Sequence, residues 1–125
     1  MNNTSPILYI VIPTFNEEQV LPLTAPIFLN ELLLLIDKGK VSKKSRILFV
    51  DDGSCDNTWN IINSLSEENE AYLGLSLSKN RGHQNALCAG LLEAKEYADI
   101  TISIDCDGQD DVRAMEKMVD EYSDV

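Results

Sequence analysis

Four short runs of branched and apolar residues, at 7–12, 46–50, 72–77 and 100–104, punctuate the chain, with stretches of helical periodicity between them. Within each run the apolar residues stand side by side instead of alternating with polar ones, the pattern of strands buried on both faces. The intervening segments read as helices over 18–37, 57–68, 84–97 and 112–122. Pro22 and Pro26 break or delay the first, and Asp56 is a natural N-cap for the second. The third is rich in Ala and Leu, and Val112, Met115, Met118 and Val119 form one apolar stripe on the fourth. Residues 38–45 are basic and polar and read as a loop. Strand followed by helix, four times over, implies a parallel, Rossmann-like α/β sheet with flanking helices and right-handed crossovers. Ligands of such sheets gather outside the carboxyl ends of the strands.

Composition narrows the ligand. The 125 residues suffice for one domain with its own core, and 44% hydrophobic content is ordinary for a globular protein. Net charge is -11, from 21 acidic and 10 basic residues. That balance argues against a surface that tracks nucleic-acid phosphates, and a di-anionic small molecule would need a cation brought with it. Cys55, Cys88 and Cys106 have no metal-type spacing and read as reduced thiols. The start, MNNTSP, has no basic segment of a signal peptide. The longest apolar stretch, 27–36, is about half a membrane span and is interrupted by Asn30 and Glu31. A soluble, cytoplasmic chain is expected.

The unusual polar residues fall behind the four strands. Pro13-Thr14-Phe15-Asn16-Glu17 follows the first and Asp51-Asp52-Gly53-Ser54 the second. Ser78-Lys79-Asn80-Arg81-Gly82-His83 follows the third, and Asp105-Cys106-Asp107-Gly108-Gln109-Asp110-Asp111 the fourth. In an extended segment Asp105 and Asp107 share a side, with Gln109 next in that row. Paired carboxylates repel unless a cation lies between them, and such oxygen donors suit Mg²⁺ or Mn²⁺. Asp110 and Asp111 read as the acidic start of the last helix. An EF-hand fails, because its sixth position needs glycine and holds Asp110, and a strand precedes the loop where a helix is required. Adjacent Asp51 and Asp52 exceed what a helix cap requires, and a carboxylate here suits acceptance from a base N–H or a ribose hydroxyl. Lys79 and Arg81 stand where a phosphate would lie and read equally well as a solvated loop. In isolation Glu17 and Phe15 read as well as a helix-start acid and a core aromatic as they do as binding residues. His83 reads as a polar residue in the first turn of a helix, and Trp59, Met115 and Met118 as core.

Taken together, IVIPTFNEE, FVDDGSCDNT, NRGHQNALCAGL and IDCDGQDD resemble glycosyltransferase family 2, and within it the branch that moves a sugar from a nucleotide to a polyprenyl phosphate. The resemblance implies that residues 1–125 are the nucleotide-sugar-binding, N-terminal part of a GT-A domain truncated at its C-terminus. It places Pro13, Phe15 and Glu17 in the base-binding segment, where Phe15 replaces the usual tyrosine. Val50 and Asp52 match positions that hold the base, and Asp105, Cys106 and Asp107 match the Asp-x-Asp signature, its middle residue touching the ribose through its backbone. Asp107 and Gln109 match metal-coordinating positions, with Asp105 nearer the nucleoside; Gly108 departs from the bulkier residue often found there. The implied reaction is an inverting displacement that carries the sugar of a UDP-sugar to a polyprenyl phosphate or glycan. The acceptor groove, any catalytic base and any membrane association would come from a C-terminal part, at the cytoplasmic face of the membrane.

Two other classes compete. A response-regulator receiver has this length and an acidic pair, but places the pair after its first strand. A non-catalytic nucleotide-sugar sensor would carry the same motifs. No phosphate-loop or dinucleotide glycine motif is present.

Overall fold

The structure is a computed structural model that describes residues 5–80, 82–108 and 113–123. Among these the elements run β1 (Leu8–Thr14), α1 (Leu21–Asp37), β2 (Arg46–Asp51), α2 (Thr58–Glu68), β3 (Tyr72–Ser76), α3 (His83–Ala94), β4 (Ile100–Ser103) and α4 (Ala114–Ser123). The strands form a parallel sheet in the order β3-β2-β1-β4. β1 is therefore the turning point: β2 and β3 build out on one side and β4 on the other. That order excludes a receiver, whose sheet is wound 2-1-3-4-5.

Side-chain alternation sorts the core into two layers. Leu8, Ile10 and Ile12 of β1 face α1, α2 and α4, meeting Phe28, Leu32, Ile62, Met115 and Val119. Tyr9 and Val11 face the other way, with Leu48 and Val50 of β2, against Ala86 and Ala94 of α3. Burial on both faces, expected for all four runs, holds for β1 and β2. β3 and β4, at the ends of this sheet, instead expose Gly74, Ser76, Thr101 and Ser103. In β4 the apolar residues line one face only, whereas β3 sends Tyr72 into one layer and Leu73 and Leu75, partly buried, against the other.

α1 absorbs both of its prolines. It begins at Leu21, so Pro22 sits where a missing N–H costs little. Pro26 lies inside the helix but faces solvent, as does Pro22, whose carbonyl it leaves without an intrahelical donor. The buried stripe of Leu21, Ala25, Phe28, Leu32 and Leu35 holds the helix down. At α2 the cap differs from expectation. Asn57 occupies the cap position without a side-chain capping bond, and Asp56, one residue earlier, accepts from the Thr58 N–H at 2.9 Å. Met118 is also corrected: it is half exposed, while Met115 is buried and Trp59 packs against the core.

α3 approaches the sheet closely because Gly90 has no side chain. A Cβ there would lie 2.6 Å from Cγ1 of Val11 and 2.7 Å from Cγ2 of Val50. In an exposed helix, Gly→Ala stabilises by up to about 1 kcal/mol. Here overpacking reverses the sign, and Gly90→Ala should lower the unfolding free energy by about 1–3 kcal/mol in urea denaturation.

Candidate active site

The carboxyl ends of β1, β2 and β4 and the loop after β3 enclose a cavity of about 290 Å³. Its walls are Pro13, Thr14, Phe15 and Glu17 after β1, Asp52 after β2, and Asn80, Gly82, His83 and Ala86 at the start of α3. Asp105, Cys106 and Asp107 after β4 complete it. It straddles the point where the strand order reverses, the place the α/β rule assigns to ligands.

Hydrogen bonds between loops shape this edge. The Asp52 N–H donates to the Thr14 carbonyl at 2.8 Å, and the Thr14 hydroxyl donates to the Val50 carbonyl at 3.1 Å. The paired aspartates divide the work. Asp51 is buried and turns back to accept from the Ser54 hydroxyl and the Ser54 N–H. Asp52, also buried, turns to the cavity and accepts from the Gly82 N–H at 3.1 Å, which ties the β2 loop to the start of α3. Gly53 tightens that tie: at φ 72° it presses on the neighbouring loop, and a Cβ there would fall 2.5 Å from the backbone of Lys79 and Asn80.

Of the residues expected to bind, Pro13, Phe15, Glu17, Asp52, Asp105, Cys106 and Asp107 meet in this one cavity. Val50 does not: it is fully buried beneath Gly90, outside the lining. Lys79 is exposed and also lies outside it. Arg81 and Gln109, like Asp110, Asp111 and Val112, fall outside the described residues. Thr14 and Ala86 line the cavity without having been singled out. Thr14 closes β1 beside the motif, and Ala86 stands one helical turn beyond His83.

The cavity is acidic. Glu17, Asp52, Asp105 and Asp107 all line it. Burial pushes the Glu17 carboxyl above its ordinary range, and the charges of Asp107, Asp56 and Asp105 push the same way. Burial, aided by Glu17 and Asp107 and opposed by a hydrogen bond with Thr24, pushes the Cys106 thiol up to about 12. The thiol is thus a buried neutral group between two exposed aspartates. Among the described residues no three His, Cys, Asp or Glu side chains are grouped to hold a metal by themselves. Asp105 and Asp107 nevertheless offer the one or two carboxylates that Mg²⁺ uses when substrate phosphates and water complete its shell.

The geometry can be set beside known proteins. The model of the family described as glycosyl transferase family 2 matches residues 9–124. The chain is 43% identical over 122 residues to the uncharacterized glycosyltransferase YkoT of Bacillus subtilis (strain 168), covering 98% of this chain and 36% of that protein. It is 33% identical over 113 residues to the prophage bactoprenol glucosyl transferase homolog of Escherichia coli (strain K12), covering 90% and 34%. The chain thus spans about a third of the length of these curated relatives. Among solved structures it superposes on S. aureus TarS 1-349 in complex with UDP, with a TM-score of 0.63 and 19% identity, over 94% of this chain and 33% of that one. A mannosyltransferase of Pyrobaculum calidifontis in complex with GDP-Man and Mn2+ superposes with a TM-score of 0.57 and 23% identity, over 82% and 28%. The parallel sheet, its flanking helices and the cleft at its turning point define a chain of the GT-A fold class. It belongs to glycosyl transferase family 2.

The raised Glu17 carboxyl has a consequence for stability. The folded protein holds this proton more tightly than the unfolded chain does, so ionising Glu17 costs stability as pH rises from 4.5 through its folded value. Glu17→Gln should therefore raise Tm at about pH 7.5 in EDTA and leave it nearly unchanged at about pH 4, measured by thermal denaturation.

Proposed function

We propose that this chain holds a nucleotide-diphosphate sugar in the cavity at β1 and β4, for inverting transfer to a polyprenyl phosphate, with UDP-glucose and undecaprenyl phosphate as the favoured pair. One observation carries the reading: an aromatic and two acids fit for a nucleoside share a cavity with an exposed carboxylate pair fit for a metal-bound diphosphate. Phe15, half exposed, packs on the base, while Glu17 and Asp52 accept from its edge or from the ribose. The backbone at Cys106 adjoins the ribose. The bactoprenol glucosyl transferase relatives support the polyprenyl acceptor. The UDP bound by one structural relative agrees with a uridine donor.

Asp105 and Asp107 would hold Mg²⁺ or Mn²⁺, the metal recorded with GDP-Man in another structural relative. Such an ion supplies Lewis-acid neutralisation of the departing diphosphate. The chain's own part is to orient the donor and to keep four carboxylates where a bare diphosphate would be repelled. A phosphate acceptor is already anionic, so this reading requires no general base among these residues.

Calorimetry tests the assignment. UDP should bind more tightly with Mn²⁺ than in EDTA, and Asp107→Asn should weaken the metal-dependent binding by about tenfold or more. Undiminished affinity in that variant would remove Asp107 from the metal site.

With Mn²⁺ present, UDP should also bind better than ADP. A guanosine nucleotide matching UDP would move the donor to the GDP-sugars, and equal affinity for UDP and ADP would refute the base pocket.

A further inference from the structure

Phe15 and Glu17 line the cavity, but Asn16 between them does not. Asn16 has a φ of 53°, in the left-handed region that non-glycine residues rarely enter and that asparagine tolerates best. Its backbone N–H and its side-chain oxygen both bond to the β2–α2 loop. Its N–H donates to Oγ of Ser54 at 2.8 Å, and its Oδ1 accepts from the Cys55 N–H at 2.8 Å. The contact continues along the backbone: the Glu17 N–H donates to Oγ1 of Thr58 at 2.8 Å and the Glu18 N–H to Oδ2 of Asp56 at 3.3 Å. Each hydroxyl donates onward to a carboxylate, Ser54 to Asp51 and Thr58 to Asp56. Three successive backbone N–H groups are therefore held by side chains of the β2–α2 loop and of Thr58, the first residue of α2, and a residue in an uncommon conformation begins the series.

We infer that Asn16 is a positioning residue for base selectivity: its left-handed turn and its bond to Cys55 set Phe15 and Glu17 against the nucleoside end of the cavity. The inference rests on the nucleotide-sugar reading above. It assigns Asn16 no contact with ligand. It also separates the two ends of the site, because Asp105 and Asp107 follow β4 while the clamp joins the segments after β1 and β2.

Three variants divide backbone from side chain. Asn16→Gly keeps the left-handed conformation and removes the bond to Cys55. Asn16→Asp tolerates the same φ and retains an acceptor oxygen. Ser54→Ala removes the hydroxyl that receives the Asn16 N–H. Affinities for UDP, ADP and inorganic pyrophosphate, each with Mn²⁺, are measured by calorimetry. Asn16→Gly should lower UDP affinity about tenfold, the worth of one hydrogen bond. ADP and pyrophosphate should be unaffected, Asn16→Asp should recover most of the loss, and Ser54→Ala should follow Asn16→Gly. Wild-type preference for UDP in Asn16→Gly would overturn the inference alone. So would a parallel loss of pyrophosphate binding, the mark of a general structural role. Failure of Asn16→Gly to fold, with Asn16→Asp and Ser54→Ala both selective as wild type, would overturn it as well. If the wild type itself fails to prefer UDP over ADP, the nucleotide reading and this inference fall together.

Discussion

Everything at this site depends on β1 pairing in parallel with β2 on one side and β4 on the other. Parallel pairing sends all the strand ends to one edge, and the reversal of strand order leaves a gap there that no crossover fills. Residues 14–17 enter from β1, Asp52 from β2 and Asp105–Asp107 from β4, and the start of α3 closes the remaining side. The register is set by burial. A slip of one residue in β1 would drive Tyr9 and Val11 into the layer of Phe28 and Leu32 and turn Ile10 toward α3. The positions of Glu17 and Asp107, 90 residues apart in the chain, are thus held by an apolar strand that bears neither of them.

The cavity's electrostatics follow from the same convergence. Carboxylates from three loops share one small space, and burial together with the charges of Asp107, Asp56 and Asp105 pushes the Glu17 carboxyl upward. An arrangement of carboxylates that costs stability by itself would become favourable with a cation between them, as proposed above, since the ion's charge would reverse the local balance. Asp56, by contrast, sits behind the cavity. Burial disfavours its charge, but donors from Thr58 and Glu18 outweigh that and keep its carboxyl below the usual range. It serves the architecture of the loops, while Glu17 faces the space they enclose.

The fold class was legible because consecutive apolar runs and helical periodicity are short-range signals. The acidic pair after β4 was legible because spacing alone aligns Asp105 with Asp107. What escaped depends on long-range neighbours. Apolar sequence does not distinguish a central strand from an edge strand, so β3 and β4 were expected to be covered on both faces. Val50 follows the same apolar logic as the rest of β2, and its burial beneath Gly90 depends on a helix 40 residues further along the chain. The different tasks of Asp51 and Asp52 follow from the pleat, which turns one toward Ser54 and the other toward Gly82. Asn16 looks like an ordinary polar loop residue until its φ and its partners 38 and 39 positions away are known.

α4, the helix that follows the acidic pair, is fastened in an unusual way. Met115 and Val119 enter the core, and beside them Lys38 and Lys40, just after α1, pair with Glu116 and Asp120 at 2.7–3.0 Å. These pairs are partly exposed to water, where each contributes little and added salt weakens it within a Debye length of about 10 Å at 0.1 M. The sheet and its other helices are held by burial that salt does not screen. Added ionic strength therefore weakens the ion pairs that fasten α4, the helix after the Asp105–Asp107 pair, and leaves the burial of Met115 and Val119 to hold it.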